Sequence, residues 1–115
     1  MAVYSPNPTD HPTIPSGAWT KISQFGESAG RPRKLLMIWN EDTSTQFRIE
    51  ILRAGVTPAS LPLGATDGFP LDPAASATST GGSYLEDYDM IATGDVYAYQ
   101  ASGGRLTTLG IREGV

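Results

Sequence analysis

Apolar and polar positions alternate most clearly between Lys34 and Leu52. Two strand-like runs, KLLMIWN and QFRIEIL, flank the short polar stretch EDTST. In the second run Phe47, Ile49 and Ile51 fall on one side, and Gln46, Arg48 and Glu50 on the other. A period of two is that of a strand with one buried and one wet face. The first run is apolar on both sides, Leu35, Met37 and Trp39 against Leu36 and Ile38. That predicts a strand covered on both faces, near the centre of the fold. Two such runs around a short polar loop predict a β-hairpin.

The same pattern places the remaining elements. Ala18 to Phe25 alternates imperfectly and predicts a first strand, with Gly26 to Pro32 as a loop. From Arg53 to Asp67 the apolar residues Val56, Leu61 and Leu63 are separated by Pro58 and Pro62. A buried loop and a proline-broken edge strand both fit that stretch. In GFPLDP, Phe69 and Leu71 are expected to enter the core while Pro70 and Pro73 fix a bend. Ala74 to Ser83 is small and polar, either a closely packed strand or a loop. Tyr84 to Asp89 concentrates the carboxylates Glu86, Asp87 and Asp89 with two tyrosines, and reads as a turn carrying solvated charge. A second hairpin is expected at the end, Asp95 to Ala101 and Arg105 to Ile111 around Ser-Gly-Gly, where glycine supplies the positive φ of a tight turn. In it Val96 and Ala98 share one face, and Tyr97 and Tyr99 the other.

Upstream, Pro6, Pro8, Pro12 and Pro15 disfavour both helix and central strand. Residues 1–17 therefore read as an extended arm, either a tail or a strap on a neighbouring subunit with Tyr4 and Ile14 as its anchors. The whole predicts an all-β chain, a small antiparallel β-sandwich or jelly-roll-like domain over residues 18–115 with seven or eight short strands.

Composition narrows the function. With 115 residues the chain is one domain, and its 39% hydrophobic and 17% charged residues leave room for many Gly, Pro, Ser and Thr turns. A net charge of −4 argues against nucleic acid as the partner. The one basic cluster, Arg31, Arg33 and Lys34, reads as a solvated strand edge or as a contact for a phosphate, glycan or partner. No cysteine is present, and His11 is the single histidine. A transition-metal site and a nucleophile–histidine–carboxylate triad both lack the residues they need. The carboxylates match no calcium loop, and no phosphate-cradling glycine motif occurs. No enzyme and no cofactor are expected. No signal peptide and no membrane-spanning stretch is read, which predicts a soluble protein made in the cytoplasm. Tyr97 and Tyr99 remain, as ordinary core or as an aromatic platform for a protein or sugar.

One resemblance ties these stretches together. The run LLMIWNEDTSTQFRIEIL, the bend GFPLDPAASAT and the closing GDVYAYQASGGRLTTLGI resemble small virion accessory proteins of tailed bacteriophages. The positions concerned are Asn40, Phe69 to Pro73, Gly94 to Ala98 and Gly103 to Leu109. Ala74-Ala75 departs from the Gly-Glu type of turn that usually follows the bend. The resemblance implies a structural protein of the virion, a capsid decoration (cement) protein or a head-fibre or tail component. It further implies a homo-oligomer, trimers included, that binds the major capsid protein or other virion subunits, without nucleic acid or membrane.

Overall fold

The computed structural model describes residues 9–26, 33–53, 55–92, 94–101 and 109–114, and for strand residues 34 and 86–92 the backbone path alone. Among them the chain is all β, with seven strands: β1 (Thr20–Lys21), β2 (Arg33–Asn40), β3 (Phe47–Leu52), β4 (Phe69–Leu71), β5 (Ser83–Ala92), β6 (Asp95–Tyr99) and β7 (Leu109–Gly114). They form two antiparallel sheets, β1-β6-β3-β4 and β5-β2-β7. Packed together, these make a small β-sandwich, a plate measuring 35 × 35 × 18 Å. The inner faces supply one core: Leu36, Ile38, Leu109 and Ile111 from the smaller sheet, and Phe47, Ile49, Leu71, Val96 and Ala98 from the larger.

The hairpin expected over Lys34 to Leu52 is instead an arch between the sheets. β2 pairs with β5 and β7, while β3 pairs with β4 and β6. Leu36 and Ile38 thus meet Phe47 and Ile49 across the core rather than beside them. Asn40 makes the corner. Fully buried, it donates from Nδ2 to the carbonyls of Thr45 (2.8 Å) and Leu71 (2.9 Å), and its Oδ1 accepts from the Asp42 amide (2.8 Å). Asp42 in turn accepts the Ser44 amide at its carboxylate, and its carbonyl accepts the Ala74 amide. Buried backbone groups need such partners, and one amide side chain here serves the ends of three strands. Polar loop residues that favour a hairpin turn favour this arch equally.

The expected C-terminal hairpin fails for the same reason. β6 lies in the larger sheet and β7 in the smaller, and the Ser-Gly-Gly turn falls outside the described residues. The acidic stretch expected as a turn lies inside β5, the longest strand. The first strand is only Thr20–Lys21, after which Ile22 turns into the core with its amide on the Val96 carbonyl (2.9 Å).

Two further expectations are corrected. Ile14, proposed as an anchor on a partner, is 1% exposed in this chain's own core, and residues 9–17 lie along the domain. Asp10 exchanges backbone bonds with Ile111 (2.8 and 2.9 Å), and Gln100 receives Gly17 at its carbonyl and reaches the Ile14 carbonyl with its side chain. Tyr4 and Arg31 lie outside the described residues. Arg33, expected on a solvated edge, is fully buried. An irregularity in the β2–β5 register sits between Arg33 and Leu35, the kind of bulge that re-aims a side chain. Arg33 Nη1 donates to the Gly94 carbonyl (2.7 Å) and lies 3.5 Å from Glu113 Oε2. Glu113 accepts the Gln24 and Phe25 amides (2.7 and 3.3 Å). A buried cation requires this kind of compensation, and the pair staples β2, β7 and the segment after β1.

Candidate functional site

With the inner faces committed to the core, surface function falls to the two outer faces. On the larger sheet the register puts Lys21, Tyr97 and Glu50 in one row, and Tyr99 and Arg48 in the next. Trp19, just before β1, extends that second row and packs its ring on Tyr99, centroids 5.3 Å apart and planes 32° apart. Tyr97 and Tyr99 thus share the outer face, opposite Val96 and Ala98, as the alternation predicts. Both are half-buried. Burial, with the charge of Asp95 second, pushes the Tyr97 phenol above its ordinary pKa, so it stays a neutral hydrogen-bonding group. Lys21 Nζ stands 3.9 Å from the buried Asp95.

The loop from Gly55 to Gly68 folds back over one end of this face. Arg48 straps it down, donating from Nε to the Asp67 carbonyl and from Nη2 to the Thr66 carbonyl, both at 2.9 Å. Trp19 Nε1 reaches the Gly64 carbonyl at 3.3 Å. The loop is braced internally, with Thr57 and Ser60 bonded reciprocally and the Leu63 amide on the Pro58 carbonyl. It rejoins the sheet at Gly68, whose φ is +75°. A Cβ there would lie 2.4 Å from the Ile49 carbonyl oxygen, so only glycine fits. Between loop and sheet lies an open groove of about 430 Å³, lined by Trp19, Thr57, Pro58, Ala59, Pro62 and Leu63. Its walls are suited to stacking and apolar contact.

The outer face of the smaller sheet differs. Its central strand presents Leu35, Met37 and Trp39, with Leu85 of β5 opposite Met37, and Arg112 and Gly110 of β7 opposite Met37 and Trp39. The Trp39 ring packs against Gly110, where a Cβ would come within 2.3 Å of it. Its Nε1 donates to Glu41. Leu35 is buried, Met37 and Trp39 are half-buried, and Leu85 is 62% exposed.

His11, the single histidine, is exposed, with Nδ1 3.6 Å from Glu41 Oε2. Among the described residues no group of three or more His, Asp or Glu gathers into a metal-ligand set. Of the predicted contact residues, the structure brings Tyr97 and Tyr99 together on a surface and places Ile14 and Arg33 inside. Trp19, Trp39 and Leu85 were not predicted as surface groups. Trp39 was hidden in a run apolar on both sides, and Leu85 in an acidic stretch. Comparison with protein-family models, curated proteins and solved structures finds no match to this chain.

Proposed function

We propose that the chain is a non-enzymatic structural protein of a tailed-phage particle, decorating the shell by bridging its subunits. The observation that carries this reading is the apolar row on the smaller sheet, with Leu85 62% exposed beside Met37 and Trp39. Burying such surface on a neighbour yields roughly 25 cal/mol per Å², and contacts repeated over a lattice add avidity. A plate 18 Å thick covers much area for its mass, as a decoration protein must. The resemblance over Lys34 to Ile111 supplies the particle, and self-association, trimers included, belongs to the same proposal. Quantitative mass spectrometry of purified particles against the major capsid protein tests it. Hundreds of copies are expected. A few to a few dozen would move the assignment to a head-fibre or tail component, and absence from the particle would overturn it.

A second reading has its own observation. The Trp19–Tyr99 pair beside the groove suits a carbohydrate- or cell-surface-binding module. A glycan screen in which retention is abolished by Trp19→Ala would favour it.

A further inference from the structure

We infer that the outer face of the larger sheet binds an uncharged oligosaccharide of two or more pyranose units, laid across β1, β6 and β3 from the groove towards Glu50. This deepens the carbohydrate reading and rests on it. The face sets an aromatic platform beside polar groups that the fold leaves unspent. Trp19 packs on Tyr99 and lines the groove at the same time. A pyranose ring has an apolar C–H face that stacks on such rings, and a rim of hydroxyls that needs hydrogen bonds. The groove meets only the first need. None of its lining residues is charged, Pro58 and Pro62 have no N–H, and the Trp19 indole is already bonded to the Gly64 carbonyl. Thr57 Oγ1 likewise accepts the Ser60 amide.

Hydroxyls must then be met from the neighbouring positions of the sheet, and the partners stand there. Tyr97 and Tyr99 are half-buried, as is Glu50 opposite Tyr97. Among the described residues, neither phenol nor the Glu50 carboxylate has a side-chain hydrogen bond or ion pair. Such groups rely on water, which a ligand hydroxyl of matching geometry replaces. The phenols donate and accept, and the carboxylate accepts. Two strand spacings of roughly 4.8 Å each separate β1 from β3, a reach that needs more than one sugar ring. Charge selects among sugars. Lys21 stands 3.9 Å from Asp95, and Arg48 spends Nε and Nη2 on the loop. Both cations are thereby committed, and a sialic or uronic acid beside Glu50 would meet like charge. The site lies on the sheet opposite Trp39, so a particle contact through that residue leaves it accessible.

The test exposes the full chain to an array of neutral mono-, di- and trisaccharides and their sialylated or uronate-bearing counterparts. Neutral di- and trisaccharides are expected to be retained. Monosaccharides and the acidic counterparts should bind at least roughly tenfold more weakly. The best neutral ligand is then titrated into variants. Tyr97→Phe should weaken it roughly three- to tenfold. Glu50→Gln should narrow the preference for neutral over acidic sugars by at least about fivefold, with the denaturation midpoint unchanged in both. Trp19→Ala should abolish retention, and if losing the Gly64 bond disturbs that variant's fold, the two conservative substitutions decide. A preference for acidic sugars, or neutral binding that Tyr97→Phe and Glu50→Gln both leave unchanged, would overturn the inference alone, provided Trp19→Ala still abolishes retention. Retention of no sugar, or retention indifferent to Trp19→Ala, would overturn the carbohydrate reading with it.

Discussion

The two tryptophans mark the two outer faces, and their surroundings differ. Trp19 stacks on Tyr99, and its indole nitrogen is bonded to a loop of the same chain. Arg48 fastens that loop with two further bonds. Trp39 lies on a glycine, is tied only to the neighbouring Glu41 by its nitrogen, and continues through Met37 to the exposed Leu85. One face is partly closed by its own chain; on the other, Leu35 is buried, Met37 and Trp39 are half-buried and Leu85 is 62% exposed. Both sheets contribute buried apolar residues to the one core, so packing of the interior does not account for the asymmetry.

Substitutions that break the joint between the sheets should have the largest effects. Arg33→Ala should cost about 3–5 kcal/mol in chemical denaturation because it removes the cation beside the buried Glu113 carboxylate. Replacing both by apolar residues, Arg33→Met with Glu113→Leu, should recover most of that loss. Phe47→Ala or Ile49→Ala removes core shared by the two sheets, for about 2–5 kcal/mol. Asn40→Ala should cost about 1–3 kcal/mol, since it leaves the Thr45 and Leu71 carbonyls without their donor, and hydrogen exchange should quicken at the arch first. On the outer faces the two regions part. Arg48→Ala should cost roughly 1 kcal/mol and raise proteolysis within residues 55–68 while leaving assembly intact. Leu85→Ser should change stability by less than about 0.5 kcal/mol, yet weaken assembly, read by co-sedimentation with shells.

Much of this was legible in the alternation, which places Phe47 and Ile49 inside and sets Tyr97 and Tyr99 opposite Val96 and Ala98. A side-chain period of two states which face is buried, and does not state which strand lies alongside. Leu36–Ile38 and Phe47–Ile49 would look the same as neighbours in one sheet or as partners across a core. The decision rests with Asn40, whose bonds hold the local loop at Asp42 and Thr45 and also reach the end of β4 at Leu71, which is remote in sequence. Arg33 was illegible for a related reason. A basic cluster before a strand reads as solvated unless one knows that Glu113, near the other end of the chain, reaches it. The exposure of Leu85 was hidden because exposure depends on which segments lie over a strand. A local apolar pattern reports burial as a tendency of the run, and Met37 and Trp39 share their run with the fully buried Leu36 and Ile38.

The central claim is that the Trp39 face, and not the Trp19 face, meets the partner. Hydroxyl-radical footprinting compares them directly, because the chain has two tryptophans and one stands on each face. In purified particles against free protein, the account predicts that oxidation of Trp39 falls several-fold while that of Trp19 is unchanged. Protection of Trp19 with Trp39 unaffected would contradict it.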